Sequence, residues 1–112
     1  MQVFGMFYIG KEEKQMKISI APPASQWFRD ELSLEEGDSV RFLGKVYGKT
    51  EVHEGFSVGI SIESPKMPLA EAMDEGITYF TEKQDDWFFN GYDLEVDYDA
   101  EQGEPIYHFV KN

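Results

Sequence analysis

The chain holds no cysteine in its 112 residues. That absence removes thiolate catalysis, disulfide staples and thiolate metal ligation together. A secreted domain this small often relies on disulfides, so a cytoplasmic setting is the expectation. Basic residues are scarce as well: 10 Lys and Arg stand against 22 Asp and Glu, a net charge of −12. Such a chain repels phosphate backbones and anionic headgroups, which argues against nucleic acid and membrane as partners. No run approaches the roughly 20 apolar residues of a membrane-spanning helix. Residues 1–10, MQVFGMFYIG, lack a basic n-region and a small-residue cleavage site, so they do not read as a signal peptide. A nucleophile elbow, a phosphate-binding glycine loop and an HExxH helix are all missing. The chain is therefore not read as an enzyme.

What the chain does have is aromatic bulk, at 15% of residues, and short alternating stretches. The strongest is Val40 to Ile62. Val40, Phe42, Gly44 and Val46 fall on one face, as do Phe56, Val58, Ile60 and Ile62. Two paired strands follow, expected to bury Phe42, Val46, Phe56, Val58 and Ile60, with a loop from Tyr47 to Gly55 between them. Gly44 and Gly59 mark either bulges or a close approach by a neighbour. Upstream, Lys17–Ile20 reads as a strand, and Ala24, Trp27, Phe28 and Leu32 give a helix from about Pro23 to Leu32. Downstream, Leu69–Asp74 reads as one helical turn and Ile77–Thr81 as a strand. Trp87-Phe88-Phe89 reads as a core cluster. Tyr92–Tyr98 and Ile106–Val110 are the closing strands. Residues 1–15 read as an extension with an edge strand, and 16–112 as the domain. The class is mainly β: an irregular sandwich or pseudo-barrel of short strands with one or two peripheral helices.

Candidate site residues cluster in the central loop. Tyr47, Lys49, His53 and Glu54 offer an aromatic, a cation, an imidazole and a carboxylate for a ligand. His53 and Glu54 are weak metal candidates, because a zinc site needs three or four protein ligands. The acidic alternation Asp93, Glu95, Asp97 reads as a solvated strand face. His108, between Tyr107 and Phe109, reads as a satisfied structural histidine.

The stretches VRFLGKVYG, EGFSVGISIESP, GITYFTE, WFFNGYDLEVDY and IYHF resemble the HesB-like family, the A-type proteins of iron–sulphur cluster assembly, and its YneR-type branch above all. The resemblance spans about Met16 to the end. It implies a compact fold of short irregular sheets with peripheral helices, and a link to cluster or iron delivery. It also implies a cluster held by one cysteine in the central loop and a Cys-Gly-Cys pair past the last strand. The loop position falls near Lys49 or Thr50, and the pair would begin near Lys111-Asn112. With those thiolates missing, the expectation is a HesB-like protein that is not itself a cluster carrier and has no cofactor. The alternative is a non-metal binding module for a small ligand or a partner protein. Any partner would be another protein or a second copy of the chain.

Overall fold

The computed structural model describes residues 15–112. The edge strand expected within residues 1–15 falls almost wholly outside them. Two mixed sheets form the body. The first has the order β1-β6-β7, from β1 (Ile18–Ile20), β6 (Tyr92–Asp99) and β7 (Glu104–Lys111). The second has the order β3-β2-β5-β4, from β2 (Ser39–Lys49), β3 (Glu54–Ile62), β4 (Pro68–Asp74) and β5 (Ile77–Glu82). The β1/β6 and β2/β5 pairs are parallel, and the other three are antiparallel. The sheets do not close into one barrel. Helix α1 (Pro22–Glu31) follows β1, and a 3₁₀ turn (Lys83–Asp85) leads into the single-turn helix α2 (Asp86–Phe89). Among the described residues, no helix is long and apolar enough to cross a membrane.

Helix α1 starts without a side-chain cap, and proline in its first turn pre-sets the backbone instead. Its Ala24 and Phe28 are fully buried. The Phe28 ring lies 5.8 Å from Phe42 and 5.7 Å from Tyr79, tying the helix to β2 and β5. Ser25 satisfies the Tyr79 hydroxyl at 2.8 Å, so this deep phenol keeps a partner. Leu94, Val96 and Phe109 bring the first sheet into the same core. Each fully buried side chain of this size contributes roughly 1.5–3 kcal/mol.

The β2/β3 register sets Val40 opposite Ile62, Phe42 opposite Ile60, Gly44 opposite Val58 and Val46 opposite Phe56. The two alternating sets thus share a face, as the pattern predicts. Burial along that face is graded, which corrects the expectation that it is buried throughout. Phe42 is buried and Phe56 and Val58 half-buried, but Ile60 is exposed and Val46 is 61% exposed. Strand β3 is an edge, and the loop end of the hairpin runs past the packed layer.

Three other expectations need correction. Residues Leu69–Asp74 belong to β4, paired with β5 through a two-residue turn in which Glu75 (φ 51) and Gly76 (φ 78) both take the left-handed backbone. Trp87 is 59% exposed while Phe88 and Phe89 are buried. On one helical turn, successive side chains diverge by about 100°, so three in a row cannot share a core face. The long central loop shrinks to Thr50–His53, because β2 reaches Lys49 through a register shift after Val46.

On the opposite face of the second sheet, Arg41 is fixed by Asp85, with Nε–Oδ2 at 3.0 Å, and by Glu63 at 3.4 Å. Asp85 also accepts from the Glu82 amide at 2.7 Å, and Glu82 accepts from the amides of Lys66 and Met67. The Asp85 bond, and then the nearby negative charge, hold the Arg41 guanidinium above its ordinary pKa. This network ties the 3₁₀ turn and the Pro65–Pro68 loop to the sheet.

Candidate functional site

The turn between β2 and β3 is built on Thr50. Its Oγ1 accepts from the amides of Val52 at 3.1 Å and His53 at 3.0 Å. With both lone pairs used, the hydroxyl proton goes to His53 Nδ1, 2.7 Å away. The imidazole is thereby locked. It stacks on Phe88, with centroids 4.2 Å apart, and meets the edge of Phe109 at 5.2 Å. Gly44 makes room for this arrangement: a Cβ there would lie 2.5 Å from the Phe88 ring. Of the two readings for Gly44, close approach is therefore the one observed. At Gly59 a Cβ would find ordinary contact with the Lys45 side chain, at 3.4 Å.

Glu51 carries the turn across to the other sheet. Its carboxylate accepts from the Phe109 amide at 2.9 Å and pairs with His108 Nδ1 at 2.8 Å. The His108 bond first, and the Phe109 amide second, hold the Glu51 carboxyl below its ordinary pKa of 4.5. His108 is thus satisfied, as expected, though by a residue 57 positions away. No local pattern around Glu51 signals this contact. The central loop is thus docked on β7 through Glu51.

Beside this bridge, a groove of about 680 Å³ runs between the β3 and β7 edges, lined by Lys49, Glu51, Glu54, Ser57, Val58 and Tyr107 among others. Burial pushes the Tyr107 phenol pKa up. Lys49 and Glu54 of the expected site face the groove. Tyr47 and His53 do not line it. Tyr47 sits in left-handed backbone (φ 84) with its side chain 80% exposed, and His53 is packed against the aromatics. The acidic face of β6 is divided: Glu95 and Asp97 are exposed, while Asp93 accepts from the Lys17 amide at 2.9 Å and from Asn112 Nδ2 at 3.0 Å.

Among the described residues, no three His, Asp or Glu side chains converge as a metal site. The central loop meets the last strand within β7, short of Lys111-Asn112, where the resemblance would begin the cysteine pair. The groups that meet there are the carboxylate of Glu51 and the imidazole of His108. A hard oxygen and one ring nitrogen, in a chain without cysteine, do not fit a sulphide cluster.

The two short sheets and peripheral helices match a solved fold. The Escherichia coli SufA structure, described as involved in biosynthesis of iron–sulphur clusters, superposes with a TM-score of 0.57. The match covers 89% of this chain and 84% of that one at 22% identity. The architecture is therefore that of the HesB-like proteins. A Bacillus subtilis protein named pyruvate dehydrogenase inhibitor is 37% identical over 94 residues, spanning 84% of this chain and 99% of the relative. The chain belongs to that relative's family, the YneR-type branch of the HesB-like proteins. An uncharacterised Staphylococcus saprophyticus protein is 29% identical over 85 residues, covering 73% of this chain and 87% of its own length. No protein-family model matches the chain.

Proposed function

We propose that this protein is an inhibitor that acts by binding pyruvate dehydrogenase, carries no iron–sulphur cluster and catalyses no reaction of its own. The observation that carries the reading is the likeness to the Bacillus subtilis pyruvate dehydrogenase inhibitor, 37% identical along 99% of that protein's length. The site agrees with it in kind. The central turn is anchored by Glu51 and His53 beside an open groove, which gives a rigid surface for recognition. The one hydroxyl–imidazole contact of this turn, Thr50 Oγ1 to His53 Nδ1, has its oxygen taken up by the amides of Val52 and His53 and its ring packed against Phe88 and Phe109, so it serves to hold the turn.

The fold likeness to SufA supports a second reading, a part in iron–sulphur assembly. The carboxylate–imidazole pair at the loop–strand junction argues against cluster carriage as the form of that part. The test is a rate titration of purified Bacillus subtilis pyruvate dehydrogenase complex with this protein. The expected result is a saturable fall in rate as the protein approaches stoichiometry with its binding sites. An unchanged rate at a large molar excess would overturn the proposal.

A further inference from the structure

We propose that the open seam between β3 and β7 is a docking groove, and that its occupant is an extended, basic segment of the partner protein added as a strand. The inference rests on the reading of this chain as a protein-binding inhibitor, and deepens it by assigning the surface and the partner's chemistry.

Among the described residues, strands β3 and β7 are each the last strand of their sheet. The amide of Glu63 bonds the carbonyl of Ser39, which sets the phase of the β2/β3 ladder. Ser61, Gly59 and Ser57 therefore turn their backbone groups toward β2, and Phe56, Val58 and Ile60 turn theirs outward. On β6 the Leu94 amide bonds Lys17, on the side away from β7. Its opposite number Phe109, and with it Tyr107, consequently points its backbone away from β6. Two rows of strand-edge N–H and C=O groups thus face the seam.

One of them already shows what the seam accepts. Glu51 places a carboxylate oxygen on the Phe109 amide, where the carbonyl of an added strand would sit. The next outward amide, that of Tyr107, has no backbone partner among the described residues. At the other seam, by contrast, β1 lies against β4, so the chain covers those edges itself.

Soluble proteins protect exposed edges with lysine, proline or charge. The edge strand β3 has none of these from Gly55 to Ile62, GFSVGISI. An edge left that way needs a partner. Charge selects which one. The groove lining holds two carboxylates, Glu51 and Glu54, against one cation, Lys49, on a chain of net charge −12. A second copy would bring the same −12 and the same carboxylates. A basic extended segment instead gains attraction at Glu54 and backbone pairing at Val58 and Tyr107.

The probe is the purified Bacillus subtilis pyruvate dehydrogenase complex, with affinity measured by calorimetry and amide exchange measured free and bound. Glu54→Lys reverses an exposed charge whose side chain makes no hydrogen bond among the described residues; it lies opposite Lys49 at the exposed end of the hairpin, where the change should cost little stability. Val58→Pro removes an outward amide that the β2 ladder does not use. Circular dichroism and thermal melting confirm folding of both. The expected results are about a tenfold loss for Glu54→Lys, from one rim charge reversed, and abolished binding for Val58→Pro. The amides of Val58 and Tyr107 should exchange more slowly in the complex. Binding by the wild type, with both folded variants equal to it and those amides unprotected, would overturn the groove and leave the inhibitor reading standing. Absence of wild-type binding would overturn both. Self-association that the two variants abolish would overturn the assigned occupant.

Discussion

Gly44→Ala tests how the core holds the functional turn. Gly44 has ordinary strand backbone, so space alone decides the outcome. The added Cβ would lie 2.5, 2.6 and 3.1 Å from three carbons of the Phe88 ring. Carbon contacts settle near 3.5–4.0 Å, so the ring must retreat by about 1 Å. It has little room to do so. Phe89 packs on it at 4.9 Å, Phe109 at 5.8 Å and His53 at 4.2 Å, centroid to centroid. Overpacking of this kind costs roughly 1–3 kcal/mol. Replacing a strand glycine by alanine returns about 0.5–1 kcal/mol through the unfolded chain. The net expectation is a loss of about 1–2 kcal/mol, or roughly 4 °C in Tm per kcal/mol. Urea unfolding should show a lower midpoint with unchanged slope. Because Phe88 stacks on His53, the imidazole proton resonances should also shift. Unchanged or higher stability, with unmoved His53 signals, would refute the claimed contact.

Other perturbations reach different parts of the fold. Asp85→Ala leaves the Arg41 guanidinium, whose side chain is 14% exposed, without its main partner. Chemical denaturation should show a loss of about 3–5 kcal/mol, and a loss below about 1 kcal/mol would mean that Glu63 alone suffices. Acid should release the central turn. The Glu51 carboxyl titrates lower in the folded chain than in the unfolded one, so its stabilisation is complete above the ordinary value of 4.5 and lost as pH falls through the depressed one. Exchange at the Phe109 amide should accelerate over that window, and a pH-independent protection factor would contradict the Glu51 clamp. Anaerobic reconstitution with iron and sulphide should leave the desalted protein colourless, since no thiolate is present. Stoichiometric acid-labile sulphide would overturn that expectation.

The central hairpin was legible because period-2 alternation survives in both strands, from Val40 to Val46 and from Phe56 to Ile62. Helix α1 was legible from its apolar spacing and its prolines, and its ends fall one residue before the expected ones, at Pro22 and Glu31. Strand β4 was not. Its alanine- and glutamate-rich residues favour a helix in isolation, and pairing with β5 overrides that preference. The Glu75-Gly76 step before a strand was the signal that could have exposed the hairpin. In the site, loop chemistry pointed to Lys49 and Glu54, which do face the groove. It gave no hint of Glu51, whose partners lie on β7. It also cast His53 as a ligand, whereas the three-dimensional fold buries its ring face against Phe88. Contacts between residues distant in sequence leave no local periodicity to read.

A cysteine-free HesB-like fold, on the proposed reading, inhibits as a protein and without a cluster. The most direct test compares two preparations of this protein in the pyruvate dehydrogenase rate assay. One is stripped with a strong chelator, and the other is exposed anaerobically to iron and sulphide. The stripped protein should inhibit at the same half-maximal concentration as the exposed one. Inhibition that appears only after loading with iron and sulphide would contradict the proposed reading.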